Sequence, residues 1–431
     1  MIYEKSLKLP DFKRRTIRRK LSLFSEQEGA LYCRGIHFKR GNGGLVMAEG
    51  AELVSALPEG CMKLVCSSGH SERIFVFCAV GLLSLDDGKR YPVADLPKFI
   101  VIYRTEENGE LLFVMTAGGL SLMKNGSWMS VAWAPKGDCG CVAFERLITA
   151  SGDKVSWSNP LNPDNWRRSL QGAGFIELPS REGEILEMFP IKESVYLFRE
   201  RGITRLILKG DPLTFVAENI PCPFGKIVRN SVQLCGDKAM FLTESGVYTF
   251  DGTKAKRLSD CGFSEVDFDK EIFSAAFHGK YCAAVSLKNG DESLWLIDPT
   301  ENEGHFLRMR AELLVGGDSL LFADGGKLFR LTERGLSPDG RCATLSSEHS
   351  LLGLSGREKY LDGVTIEGSG YFSVEARTER GNVKCVSGAA GERLAFPAPL
   401  RGVGFSLQIR TICENAAVRS VTFDIREESA N

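Results

Sequence analysis

Residues 109–126 read GELLFVMTAGGLSLMKNG, and the order of residue types in that stretch decides the fold. An apolar run, Leu112–Met115, meets the glycine pair Gly118-Gly119, and a second apolar run, Leu120–Met123, follows. Each run is too short for a helix and the glycines mark a turn, so the unit reads as a β-hairpin. The same order recurs in both directions. SERIFVFCAVGLLSLDDG (71–88) precedes it, with its break at Gly81. After it come ERLITASGDKVSWSNP (145–160), SVYLFRERGITRLILKGDP (194–212), DKAMFLTESGVYTFDGT (237–253), GKYCAAVSLKNGDESLWLIDP (279–299) and DSLLFADGGKLFRL (318–331).

Copies spaced by roughly 40 residues match the period of four-stranded propeller blades. A lone hairpin leaves one face unburied, whereas radial stacking buries both faces and leaves only short, protected edges. The expected fold class is therefore all-β: a β-propeller of about seven blades followed by a small C-terminal β-sandwich-like domain. The segment before residue 60 is available as the closing strand of the last blade.

The expected domain order is a basic N-terminal arm over 1–27, the propeller over 28–340, a connector over 341–357 and the C-terminal domain over 358–431. Within the last, Val364/Ile366, Phe372/Val374, Phe405/Leu407/Ile409 and Val421/Phe423/Ile425 alternate with polar residues. That period of two is the signature of half-buried antiparallel strands.

With 43% hydrophobic and 25% charged residues the chain is globular in composition, and 46 glycines against 16 prolines favour tight turns. A formal net charge of −1 excludes a surface that binds nucleic acid all over. The exception is the start, MIYEKSLKLPDFKRRTIRRK (1–20). No apolar stretch follows it as in a secretory signal, and no segment is long enough to span a bilayer, so a soluble protein without membrane contact is expected. The basic run has two readings: a solvated tail, or contact of Lys13, Arg14, Arg15, Arg18, Arg19 and Lys20 with DNA phosphates or an acidic partner.

The thirteen cysteines are odd in number and irregular in spacing, and many stand in apolar runs, as Cys78, Cys141 and Cys282 do. They read as buried small hydrophobes in a reducing compartment. Cys139-Gly-Cys141 lacks the second half of a zinc site, and the acidic strings 267–271 and 289–293 match no calcium loop, so no metal is expected. The five histidines, His37, His70, His278, His305 and His349, stand singly. No nucleophile elbow, P-loop or dinucleotide motif occurs, so neither catalysis nor a cofactor is expected. A glycan-binding or glycan-hydrolysing propeller is the alternative, with carboxylates around the central channel, though the repeated boxes of sialidase-like propellers are missing.

SGDKVSWSNPLNPDNW (151–166) offers a candidate interaction loop made by Asn159, Asn162, Asp164 and Trp166. Its tryptophans suit stacking on a sugar, or packing, with Trp157 in the blade and Trp166 clamping the turn-rich loop; packing is favoured.

The segment also carries a resemblance. The pattern G-x-x-V-x-W-S-x-P-x-N-P-x-x-W, here on Gly152, Val155, Trp157, Ser158, Pro160, Pro163 and Trp166 after Ser151, resembles a motif of propeller-containing phage tail and neck proteins. VYLFRERGITRLILKGDP (195–212) and MFLTESGVYTFDGTKAKRLSD (240–260) are similar to two further units of the same proteins, the tail tubular (nozzle) and packaged-DNA-stabilising type of phages and prophages. The resemblance implies a structural subunit without catalysis, assembled in the bacterial cytoplasm into the virion tail or neck. It also implies a homo-oligomeric ring, other phage structural proteins as partners, and contact with DNA.

Overall fold

The computed structural model describes residues 14–22, 33–41, 44–107, 109–168, 172–208, 214–222, 224–258, 261–333, 342–347, 349–352 and 356–428. Two compact units share them. One comprises residues 52–304 and 309–331; the other comprises the described parts of 1–51, 305–308 and 332–431.

The first unit is a seven-bladed β-propeller. Each blade opens on an inner strand: Lys63–Cys66, Phe99–Thr105, Cys139–Ala143, Ile185–Ile191, Gln233–Cys235, Phe273–Phe277 and Leu313–Val315 in turn. Three further strands pair outward from each. The hairpins legible in the sequence are the middle two strands of the blades: Leu112 pairs with Met123, Ile148 with Trp157, Phe241 with Tyr248 and Ala283 with Trp295. In the seventh blade the outermost strand is Gly50–Ala56, beside Lys327–Thr332, so the segment before residue 60 does close the ring. Leu57 N–H donates to the Gly326 carbonyl at 2.9 Å at the end of that seam.

Packing follows the logic of the repeat. Val65, Phe75 and Tyr91 of the first blade share a buried cluster with Ile100, Leu112 and Val114 of the second. Phe198 and Ile203 of the fourth blade do the same with Phe241 and Phe250 of the fifth. Each blade face is buried by its neighbour, which is why the hairpins stand in a ring.

The second unit is a two-sheet sandwich. One sheet runs Phe38–Gly41, Gly44–Met47, Ala417–Glu428, Lys359–Ser369, Arg393–Gly402, with Arg14–Ser22 also paired to Ala417–Glu428. The other contains Cys33–Ile36, Ala343–Ser347, Phe405–Thr411, Tyr371–Thr378 and Val383–Ala389 in that order. Their inward residues, among them Val364, Ile366, Phe372, Val374, Phe405, Ile409, Val421 and Phe423, form one core with Phe38 and Met47.

These boundaries correct the expected domains. The sandwich recruits strands at 14–22 and 33–47, placed in the arm and propeller by the sequence reading, and Ala343–Ser347 from the expected connector. The cause is topological. The closing strand of the ring lies just before the first blade, so the chain ahead of it falls outside the ring and pairs with the C-terminal strands. The basic run, at Arg14, Arg15, Arg18, Arg19 and Lys20, is a strand rather than an arm; Lys13 lies outside the described residues. Its register sets Arg14, Arg15 and Arg18 opposite Glu428, Glu427 and Asp424.

Candidate functional site

The inner strands of a propeller all run the same way, so their first residues gather at one mouth of the central channel. Polar contacts confirm this blade by blade. Lys63 Nζ donates to the Pro97 carbonyl at 2.8 Å, just ahead of the second inner strand. Lys98 Nζ reaches Asp138 Oδ1 at 2.5 Å, ahead of the third, where Ser151 Oγ donates to Asp138 Oδ2 at 2.5 Å. Arg229 joins Glu184 at 2.8 Å and Glu200 at 3.1 Å. Ser274 Oγ donates to the Asn230 carbonyl at 2.6 Å, and Gln233 Nε2 to the Ser274 carbonyl at 3.0 Å.

Among these groups Glu187 is set apart. It follows a β-bulge in the fourth inner strand, where the register shifts between Ile185 and Glu187. One carboxyl oxygen accepts from Met188 N–H at 3.0 Å, and no other hydrogen bond reaches it among the described residues. The residue is half-buried. Burial pushes its carboxyl up to about 7, against smaller opposing pulls from the Met188 N–H and the Lys63 ammonium. Its charge in turn raises the thiols of Cys139 and Cys141, which burial alone already holds protonated. Lys63, itself lowered by burial, is the cation that answers it.

Asp138 is the opposite case at the same mouth. Burial would raise it, but the hydrogen bonds of Lys98 and Ser151 outweigh that and keep it ionised. The site thus offers a carboxyl able to exchange a proton near neutrality, or to take up a cation, beside a carboxylate already satisfied.

The loops around this mouth expose apolar side chains on three successive blades: Met62 and Val80 on the first, Leu96 ahead of the second and Trp133 ahead of the third. Trp133 is 73% exposed and holds a left-handed backbone at φ 67°. A bulky side chain there is an outlier, and such strain concentrates at functional positions. Of the five tryptophans it alone is exposed.

The sequence-derived loop lies elsewhere. Asn159, Asn162, Asp164 and Trp166 occupy the connection between the third and fourth strands of the third blade, which opens on the other face. The loop bonds to itself. Asn159 Nδ2 donates to the Asn165 carbonyl at 3.1 Å, Trp166 Nε1 to the Pro163 carbonyl at 3.0 Å, and Asp164 meets Lys124 at 3.4 Å. Arg146, 4% exposed, holds the loop ends by donating to the Ser158 and Gly172 carbonyls at 2.7 and 2.9 Å. Trp157 and Trp166 are both buried, so neither indole offers a stacking face.

No motif singles out Glu187 or Trp133. The available signals are a carboxylate inside an apolar strand that opens a repeat, ILEMFPI (185–191), and an indole in the connection VAWAPKGD (131–138). A second concavity of about 450 Å³ lies between the first two blades, lined by Arg73, Lys89, Tyr91, Glu110 and Met123 among others. Its charges are largely spent internally, since Glu110 holds Arg73 and Arg104, and Lys89 meets Asp87 at 3.0 Å.

No protein-family model and no curated protein sequence matches the chain. Solved structures do. The chain is similar to the extracellular domain of BT4673 from B. thetaiotaomicron, at 12% identity over 80% of this chain and 47% of that one, TM-score 0.42. It is similar to PorZ, a bacterial surface component of the type-IX secretion system of Porphyromonas gingivalis, at 11% over 78% and 46%, TM-score 0.42. It is also similar to the Pan2 WD40 domain of Neurospora crassa, at 9% over 68% and 97%, TM-score 0.38. The chain spans about half the length of the first two. Likeness at this identity concerns fold alone; the propeller itself rests on the strand order and registers above.

Proposed function

We propose that the chain is a structural docking platform without catalysis and, in finer terms, a subunit of a phage tail or head–tail connector. One observation supports the finer reading. The units that resemble phage tail and neck propellers, between residues 145 and 260, occupy three consecutive blades, the third to the fifth. The distinctive residues of the first unit do structural work there: Trp157 fills the blade, and Trp166 closes a loop onto Pro163. In this reading the partners are other subunits of the same particle and further copies of this chain in a ring. DNA contact falls to the strand that carries Arg14, Arg15, Arg18, Arg19 and Lys20.

The test is electron microscopy of the purified full chain, with its mass in solution measured alongside. Ring-shaped oligomers of defined rotational symmetry are the expected result. A monomer that turns over oligosaccharides, with Glu187 required for turnover, would overturn the reading in favour of a hydrolytic propeller.

A further inference from the structure

The channel mouth, its apolar arc and an acidic connection all lie on one face of the propeller, and together they describe what the face can hold. Hydrogen bonds and an ion pair link the loops of the arc. The Met62 loop leans on the first hairpin through the bond from Met62 N–H to the Phe77 carbonyl at 2.9 Å. Lys63 ties it to the Leu96 loop through the Pro97 carbonyl, and the Lys98–Asp138 pair ties that loop to the one bearing Trp133. Single exposed apolar residues are ordinary. Four of them stand on adjoining loops here, one an indole held at positive φ without burial.

The charge on the same face is mixed, with Lys136 in the Trp133 loop and Arg181 and Arg201 on the fourth blade exposed, and it turns acidic at one connection. The connection into the sixth blade carries Glu265, Asp267, Asp269 and Glu271 against Lys270. Lys63 is committed to the carbonyls of Pro97 and Lys98, and Lys98 and Arg229 to carboxylates. Glu187 has only the neighbouring Met188 N–H as a hydrogen-bond donor among the described residues. At the Glu187 carboxyl itself a phosphate or carboxylate meets like charge, whereas a guanidinium or ammonium meets an acceptor short of donors.

We propose that this mouth receives an arginine or lysine side chain, carried on an extended segment of a partner protein whose adjacent apolar residues cover Met62, Val80, Leu96 and Trp133. The inference deepens the platform reading and rests on it for the partner being a protein. The cation enters toward Glu187, and the apolar neighbours remove the indole of Trp133 from water. Among the described residues Met188 N–H bonds Glu187 and the charges of Lys63, Cys139 and Cys141 act with it; both thiols stay protonated, so uptake of the cation is coupled to loss of the Glu187 proton.

The experiment titrates the full chain with three synthetic ten-residue peptides, alternating Leu–Arg, Leu–Glu and Gly–Arg, followed by acrylamide quenching of Trp133. The Leu–Arg peptide is expected to bind at least about tenfold more tightly than either other peptide and to shield Trp133. Its affinity rises about tenfold between pH 6 and pH 8 as Glu187 ionises. Glu187→Gln, which keeps the side-chain volume, weakens binding and abolishes that rise; Trp133→Asn weakens binding and keeps it. Equal binding of Leu–Glu, equal binding of Gly–Arg, or an unchanged affinity in Glu187→Gln overturns the inference. Rings are scored separately, without peptide. Rings that ignore Leu–Arg overturn the receptor and leave the platform standing, whereas specific capture by a ringless chain upholds the receptor and removes the platform.

Discussion

Two glutamates, one in each unit, have opposite fates. Glu49, in the sandwich unit and 6% exposed, receives Lys39 Nζ at 2.7 Å on one oxygen and His305 Nε2 at 2.7 Å on the other. Burial raises its carboxyl, but the bonds and charges of His305 and Lys39 together overcome that and pull it down to about 2. Glu187, in the propeller, has one backbone N–H and the charge of Lys63 against its burial, and is pushed up to about 7. The residue type is the same and burial pushes both carboxyls upward; the donors within bonding distance decide the sign. A carboxylate with both oxygens satisfied ties a fold together. One left short of donors is a place where something else can bind.

The largest expected effect tests the satisfied partner. Glu49→Ala leaves Lys39 and His305 without their shared anion and is expected to destabilise the sandwich unit by about 3–5 kcal/mol at pH 7. All five tryptophans lie in the propeller, so fluorescence does not report this loss. Hydrogen exchange in peptides covering 33–47 and 405–411 does, and unchanged protection there would erase the contrast. The pH dependence has a definite sign. A folded value near 2, below the unfolded 4.5, gives stability that is full above pH 4.5 and is lost as pH falls toward 2.

Glu187→Gln tests the unsatisfied partner and has the reverse sign. Its folded value, about 7, exceeds the unfolded 4.5, so the folded state holds the proton more tightly. Stability from that proton is full below pH 4.5 and is lost as pH rises through 7. A glutamine cannot ionise. The variant is therefore expected to match the parent at pH 4.5 and to exceed it by about 3 kcal/mol at pH 9, read by tryptophan fluorescence in urea. A variant less stable than the parent at pH 9 would show that the carboxylate serves the fold, as Glu49 does.

The contrast also separates what the sequence makes legible from what it hides. Each blade hairpin is written in contiguous residues, as in Leu112–Met115 and Leu120–Met123, so its alternation and turn are visible without knowledge of the fold. The sandwich strands around Phe372, Phe405 and Phe423 show for the same reason. Ring closure joins residues 50–56 to 327–332, and no local pattern encodes it, although the need for a final strand could be inferred. The sandwich strands at 33–47 were hidden by that same closure, because short strands beside a repeat resemble part of it. Glu187 feels the charge of Lys63, and Glu49 meets His305, only because distant segments converge. The partners that set each carboxyl's sign are a property of the closed ring or the assembled sheets, not of either residue's neighbours in the chain. Trp157 and Trp166 stood out through their motif, whereas Trp133 has none.

Trp133 carries the smallest expected effect on stability and sharpens the comparison most. An indole usually returns its burial to the fold, as Trp157 does at 4% exposure. At 73% exposure Trp133 returns little, and its φ of 67° adds the steric cost of a left-handed backbone for a residue with a bulky side chain. Asparagine tolerates that region better, because its short polar side chain can bond locally. Trp133→Asn is therefore expected to leave the propeller unchanged or to stabilise it by up to about 1 kcal/mol, measured by urea unfolding with the four remaining tryptophans as reporters. A loss of more than about 1 kcal/mol would mean that the indole packs against the fold after all. The expected gain would set Trp133 beside Glu187 and apart from Glu49: a side chain whose arrangement the folded chain alone does not reward, at the mouth where a partner would.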